Sequence, residues 1–143
     1  MKRASALLRK GKILIQGYSK ATTGLWIGMG PVFVIDEDHP DELDAKIRDA
    51  LHGSIEGVRH PSQAEWKTVQ APMLAAAGVK TWATLAKSAK SVGLEFDGGI
   101  VRMVPTAGYS NSGGTSLPEK AVECEFDNGE LGSALVLAFE RCE

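Results

Sequence analysis

The stretch that decides the fold is residues 92–104, which read VGLEFDGGIVRMV. From 92 to 96 apolar side chains alternate with others, which is the two-residue period of a strand with one buried face. The Asp-Gly-Gly sequence at 97–99 favours a tight turn, and apolar residues resume from 100 to 104. These residues therefore predict an antiparallel β-hairpin.

Further strands are predicted on both sides of this hairpin. Residues 12–18 and 25–35 are rich in β-branched and aromatic side chains, and the polar segment between them ends in glycine. Pro31 places the second of these strands at a sheet edge or at a bulge, and Gly30 predicts a bend beside it. Residues 121–126 alternate apolar with acidic side chains, which predicts a half-buried strand with an acidic outer face.

Helices are predicted from cap residues, prolines at helix starts and apolar spacing of three to four residues. They cover about 40–52, 72–77, 82–89 and 131–139, and 63–70 is predicted to be short helical or irregular. The last helix is expected to begin at a capping pair, Asp127 and Glu130. Because strands and helices do not alternate strictly, we predict one α+β domain over 1–143, with a mainly antiparallel sheet of about five strands and three to four helices packed on it.

Charge is sorted along the chain. Residues 1–35 carry six basic side chains and no acidic one, whereas six acids follow between Asp36 and Asp44. Glu123 and Glu125 share one face of the predicted strand 121–126. Segregated charge steers the encounter of a protein with its partner, so the pattern favours binding over catalysis.

Each charged segment has two interpretations. The acids after residue 35 either favour the N-terminus of their own helix or form a surface that resembles a nucleic-acid backbone and suits a partner with a basic cleft. The basic residues before it either form a solvated terminal arm or contact phosphate groups. No recognised nucleic-acid-binding motif accompanies them.

The sequence contains no complete motif for catalysis or for metal binding. The histidines lack the spacing of a metal site, and the loop 108–115 lacks the order of a phosphate-binding loop. His60, Ser62 and Glu65 are close in sequence but lack a nucleophile elbow, so a small hydrolase is the last-ranked interpretation. We predict that the chain is not an enzyme and uses no cofactor and no metal.

The tryptophans Trp26, Trp66 and Trp82 are too few for a base-stacking platform and are predicted to be core residues. No apolar run approaches the roughly 20 residues of a membrane span, and the N-terminus lacks the apolar region of a signal peptide. We therefore expect a cytoplasmic protein.

Three segments carry a family resemblance: GLWIGMGP at 24–31, APMLAAAGVKTW at 71–82 and NGELGSALVLAFE at 128–140. Together they resemble the immunity proteins of bacterial contact-dependent growth inhibition. The resemblance implies a cytoplasmic protein that binds the C-terminal toxin domain of a CdiA-type surface protein, often a nuclease such as a tRNase. It implies neutralisation in a tight one-to-one complex without turnover.

The resemblance carries no contact residues with it, so the predicted contacts come from charge and exposure. We expect a basic surface of the toxin to be met by six acids, with Tyr109 as an aromatic anchor. The acids are Asp36, Glu37, Asp38, Asp41, Glu123 and Glu125. The alternative is an RNA- or nucleoprotein-binding module that uses the basic N-terminal segment.

Overall fold

The strands of this computed structural model, which describes residues 1–111 and 113–143, join into one sheet. The omitted residue, Ser112, belongs to the predicted loop 107–116 and lies outside the described residues. The strands are β1 (Lys2–Arg9), β2 (Lys12–Ala21), β3 (Trp26–Asp36), β4 (Glu56–Val58), β5 (Ala89–Asp97), β6 (Ile100–Ala107), β7 (Thr115–Ser116) and β8 (Val122–Glu125). The α-helices are α1 (Leu43–His52), α2 (Trp66–Ala77), α3 (Trp82–Lys87) and α4 (Leu131–Glu140).

The order of strands across the sheet is β3-β2-β1-β5-β6-β7, with β4 beside β2 and β8 beside β6. Neighbouring strands are antiparallel except β2 and β4. The predicted α+β class is confirmed, but the described residues form eight strands and not about five. The additional strands are β1, β4 and β7, and the last two are too short to show a period.

The prediction of a solvated N-terminal arm is wrong, because β1 lies in the middle of the sheet between β2 and β5. Its residues Ala4, Ala6 and Leu7 are no more than 4% exposed. The segment KRASALLR contains no β-branched or aromatic residue, so its own strand propensity is low. Pairing with a neighbour on each side holds it in place.

Each face of the sheet carries one layer of helices. On one face, α1 and α4 cover the larger core, which includes Ile15, Leu94 and Met103. On the other face, α2 and α3 cover a smaller core around Leu7 and Leu14. The second layer is short, so part of that face is left open.

Helix α2 is longer than the sequence predicts. It runs without a break from Trp66 to Ala77, with Pro72 inside it, whereas a new helix was expected to begin at Pro72. Pro72 is exposed, and Met73 beside it is 2% exposed. The apolar contacts of the helix with the sheet therefore offset the backbone hydrogen bond that proline removes. Helix α3 ends at Lys87, and β5 starts at Ala89, where the helix was expected to end.

The start of α4 is held by α1. The expected capping by Asp127 and Glu130 is wrong, since Glu130 at the N-cap makes no side-chain cap hydrogen bond. Instead the backbone N–H of Leu131 donates to Asp44 Oδ1 at 3.1 Å, and Arg48 Nε donates to Asp44 Oδ2 at 2.8 Å. Asp44, one of the sorted acids, therefore has a structural role.

Candidate protein-binding surfaces

The first group of predicted contacts lies at the end of β3 and in the turn before α1, and we call Asp36–Asp41 the β3–α1 acidic segment. Lys12 on β2 donates a hydrogen bond to Asp36, and His39 Nδ1 lies 3.7 Å from it. The hydrogen bond and charge of Lys12 lower the pKa of Asp36. Part of the charge separated along the sequence is thus neutralised by pairing across the β2–β3 hairpin.

The remaining predicted acids of this segment, Glu37, Asp38 and Asp41, are exposed. Within residues 1–111 and 113–143, none of the three takes part in an ion pair at 4 Å or less. They form a free acidic surface at one edge of the fold.

The second group of acids lines a groove of about 520 Å³ between β8 and α4, which we call the β8 groove. Apolar groups line it together with Glu123, Glu125 and Glu130. The exposed Leu137 is one of these apolar groups, at 39% exposure. In the part of the chain that the structure describes, the three carboxylates have no cationic partner within 4 Å. A Lys or Arg side chain would find both a contact for its stem and an acceptor for its charge here.

The two acidic surfaces lie at opposite edges of the sheet, because β3 is at one end of the strand order and β8 is paired to β6 near the other. Five strand spacings of roughly 4.8 Å put about 24 Å between them. On the face covered by α1 and α4, the start of α4 lies close to the β3–α1 acidic segment. A Cβ added to Gly132 at the start of α4 would lie 2.5 Å from the carbonyl oxygen of Pro40, the residue before Asp41.

Tyr109, the predicted aromatic anchor, lies on the face of the sheet that carries α2 and α3. It is half-buried and packs against the smaller core, as Trp82 does. Burial raises the pKa of its hydroxyl, and the neighbouring Tyr18 adds to the shift. The structure thus places Tyr109 apart from the β8 groove, and its contact with a partner stays a prediction.

The tryptophans were predicted to be core residues, but each is only half-buried. Trp26, Trp66 and Trp82 line a shared cavity of about 140 Å³ with Tyr18. They come from three elements far apart in sequence, so no local pattern could have shown this grouping. The cavity opens on the same face as Tyr109.

A row of charged residues crosses the open part of that face and was missed by sequence reasoning. Consecutive register partners are Glu123 and Arg102, Arg102 and Glu95, Glu95 and Arg3, and Arg3 and Tyr18. Acidic and basic side chains alternate across four strands. The register of the pairing, which is a tertiary property, creates the row.

Several basic residues of the N-terminal segment are engaged within the fold. Lys2 Nζ donates to the carbonyl of Ser54 at 2.7 Å, and Arg9 Nη1 donates to that of Ala77 at 3.3 Å. Lys12 is paired with Asp36. These contacts reduce the number of cations that could bind phosphate.

The group considered for hydrolysis serves a helix start instead. Glu65 accepts hydrogen bonds from Arg59 at 2.9 and 2.6 Å and from the backbone N–H of Ser62 at 2.9 Å. His60 Nδ1 lies 2.8 Å from the hydroxyl of Thr23. The carboxylate therefore does not orient the histidine toward Ser62.

These hydrogen bonds predict a lowered pKa for the carboxyl group of Glu65, which can be measured. The hydrogen bond from Arg59, with those from Ser62, lowers the pKa of Glu65 to about 2. Because the folded pKa lies below the ordinary value of 4.5, the pairing stabilises the fold above pH 4.5 and is lost as pH falls toward 2. In Arg59→Gln, carboxyl NMR titration should show the pKa of Glu65 rising toward 4.5, and an unchanged value would contradict the role of Arg59.

No group of three or more His, Cys, Asp and Glu side chains among residues 1–111 and 113–143 is arranged to hold a metal ion. None of the helices described has the length and apolar character needed to cross a membrane.

Comparison with known proteins gives one family and a shared fold. A family model described as CdiI, CDI immunity protein, matches residues 2–142. A solved protein of unknown function from Neisseria meningitidis is similar, with a TM-score of 0.80, 20% identity and coverage of 99% of this chain and 95% of that one. A chain of the "CdiA-CT/CdiI toxin and immunity complex from Yersinia pseudotuberculosis" is also similar, with a TM-score of 0.79, 20% identity and coverage of 99% and 97%. A search of curated proteins found no match.

Proposed function

The chain belongs to the CdiI family of CDI immunity proteins, and from this premise we propose that it neutralises a cognate toxin by tight one-to-one binding in the cytoplasm. The partner is the C-terminal toxin domain of a CdiA-type surface protein. The toxin is a nuclease, with a tRNase as the leading example. The chain acts by occupying the toxin and not by turnover.

The observation that carries this proposal is the β8 groove. Glu123, Glu125 and Glu130 line it together with apolar groups, and their carboxylates have no cationic partner among the described residues. A nuclease holds a polyanion and therefore presents a basic surface, which complements such a groove. The β3–α1 acidic segment contributes at longer range by accelerating the encounter.

Titration tests neutralisation and stoichiometry together. The C-terminal domain of a large secreted protein encoded directly upstream is purified, and its cleavage of tRNA is followed as this chain is added. We expect activity to end at one equivalent. Complete inhibition far below one equivalent would indicate turnover, and a toxin domain that stays active in excess chain would refute the proposed function.

Charge reversal separates the two acidic surfaces. We expect Glu123→Lys, Glu125→Lys and Glu130→Lys combined to weaken toxin binding about 10- to 100-fold, with faster dissociation as well as slower association. The combination Glu37→Lys, Asp38→Lys and Asp41→Lys should slow association without faster dissociation, and the effect should fade with added salt. Both are measured by surface plasmon resonance.

A third combination controls for net charge. Glu56, Glu119 and Glu140 are exposed and lie outside both surfaces. Their change to Lys alters the total charge by the same amount, and we expect only a few-fold slower association. If the β8 groove combination behaves like this control, the groove is not a contact.

A further inference from the structure

The open part of the sheet face that carries α2 and α3 contains a cleft of about 400 Å³, which we call the sheet-face cleft. Its lining includes Arg3, Glu95 and Arg102 from three adjacent strands, with Trp26 at one end. Gly93 also lines it, and a Cβ added there would meet no atom of residues 1–111 and 113–143 within 4 Å. The cleft therefore has room for a side chain that the protein does not itself provide.

The charges in the cleft are only loosely satisfied. Arg3 Nη2 lies 3.5 Å from one oxygen of Glu95, and Arg102 Nη1 lies 3.9 Å from the other. A charge-assisted hydrogen bond between such groups is typically about 2.7–2.9 Å long. Glu95 is thus shared by two guanidinium groups without forming a close pair with either.

Arg3 and Arg102 also keep donors available. Arg3 Nε is buried and has no hydrogen-bond partner among the described residues, while its guanidinium lies 5.1 Å from the centre of the Trp26 ring. Arg102 uses Nη2 on the carbonyl of Pro118 at 3.0 Å. A guanidinium has five N–H groups. Because Arg3 Nε is buried, the donors that Arg3 can offer a ligand are those of its terminal amino groups. The ring of Trp26 holds Arg3 in place for that purpose.

We propose that the sheet-face cleft receives a carboxylate side chain, Asp or Glu, of the bound toxin domain, held between Arg3 and Arg102. The inference rests on the proposed function, since it takes the toxin as the partner. The cleft lining carries two positive groups and one negative group, so one added carboxylate neutralises it. The shape of the guanidinium matches a carboxylate with two parallel hydrogen bonds.

This surface is opposite in sign to the β8 groove. Glu123, a residue of that groove, is the register partner of Arg102, so the groove and the cleft adjoin along the charged row. A toxin surface that fits both must present a basic group beside an acidic one. Such an alternating pattern excludes partners that are only basic, and it therefore supplies specificity among toxins.

Two substitutions in the cleft should change toxin affinity in opposite directions. Arg102→Gln removes a donor and should weaken binding of the neighbour-encoded toxin domain about 10- to 100-fold. Glu95→Gln removes the carboxylate that competes for the same guanidinium groups, and it should tighten binding about two- to fivefold. Calorimetry or surface plasmon resonance measures both, and thermal unfolding checks that each variant is folded.

Arg141→Gln is the matched control. Arg141 Nη1 donates to the carbonyls of Lys120 and Ala121, so it supports the same segment that Arg102 contacts at Pro118, but it lies outside the cleft. We expect unchanged affinity. If Arg102→Gln does not fold, Arg102→Lys keeps the charge without the paired donors, and it should weaken binding about three- to tenfold.

If Arg102→Gln and Glu95→Gln weaken toxin binding equally, the inference is overturned, because the charged row would then only support the fold and would not bind a carboxylate. Unchanged affinity in both, or a loss in Arg141→Gln as large as that in Arg102→Gln, would also overturn it. In those cases the wild-type chain still neutralises the toxin and the proposed function stands. A wild-type chain that fails to bind the toxin refutes the proposed function itself.

Discussion

Deletion of residues 2–9 should leave no folded protein. The deletion removes β1, which pairs with β2 on one side and β5 on the other and so joins the two halves of the sheet. It also removes Ala4 and Ala6 from the larger core and Leu7 from the smaller one. Neither core can close over the gap. Circular dichroism and thermal unfolding should show the loss of a cooperative transition.

Substitutions that keep the strand provide the control. Lys10 is exposed in the turn after β1, and changing it to Gln with Lys2 should leave a cooperative transition within a few degrees of wild type. The same double variant tests RNA binding by the basic segment, which the deletion cannot do. A deletion variant that unfolds cooperatively and still binds the toxin would contradict the central position of β1.

Gly17→Ala should cost about 2–3 kcal/mol in the free energy of unfolding, a large effect for one methyl group. Gly17 lies on β2 beneath α1, and a Cβ there would sit 2.5 Å from the backbone carbonyl oxygen of Ala50. That oxygen belongs to a helix backbone, so α1 itself must move. Since α1 packs on α4, the shift would disturb the larger core. Urea unfolding measures the loss.

Gly93→Ala is the matched control in the same sheet, because a Cβ there meets no atom within 4 Å in the described part of the chain. We expect no loss of stability and a gain of up to about 0.5–1 kcal/mol, since glycine in a strand is less stable than alanine. Equal losses in both variants would mean that the close approach of α1 to β2 does not determine the effect.

The elements that sequence reasoning predicted correctly are those with a strong local period or composition. The hairpin of β5 and β6 follows from alternating apolar positions and a glycine turn, whereas the strands β2 and β3 follow from their β-branched and aromatic residues and the glycine that ends the segment between them. Thr81, a residue type that favours helix starts, caps α3, with its side chain accepting the N–H of Thr84 at 3.2 Å. What failed was β1, whose side chains are alanine, leucine, serine and basic residues without strand preference. Its structure is imposed by its neighbours.

The candidate contact residues also divide into those that a local pattern could predict and those that depend on tertiary packing. Exposure of Glu123 and Glu125 could be predicted, because alternation within one strand decides which side chains face outward. Their neighbours in the β8 groove are Glu130 at the N-cap of α4 and Leu137 within that helix, and their positions depend on how α4 packs. The ion pair of Asp36 with Lys12 could not be predicted in this way, because it forms only in the register that places the two residues opposite each other on β2 and β3.

By itself the sequence determined the α+β class, the acidic character of two surfaces and membership of the family, since these depend on local period, composition and motif. Only the tertiary structure decided where the sorted charge acts. Pairing brings Lys12 to Asp36, places Asp44 under the start of α4 and aligns Arg3 with Glu95. Electrostatic interaction in water weakens with separation and is screened over about 8–10 Å at physiological salt, so distance in space and not distance along the chain determines which charges remain free to bind a partner.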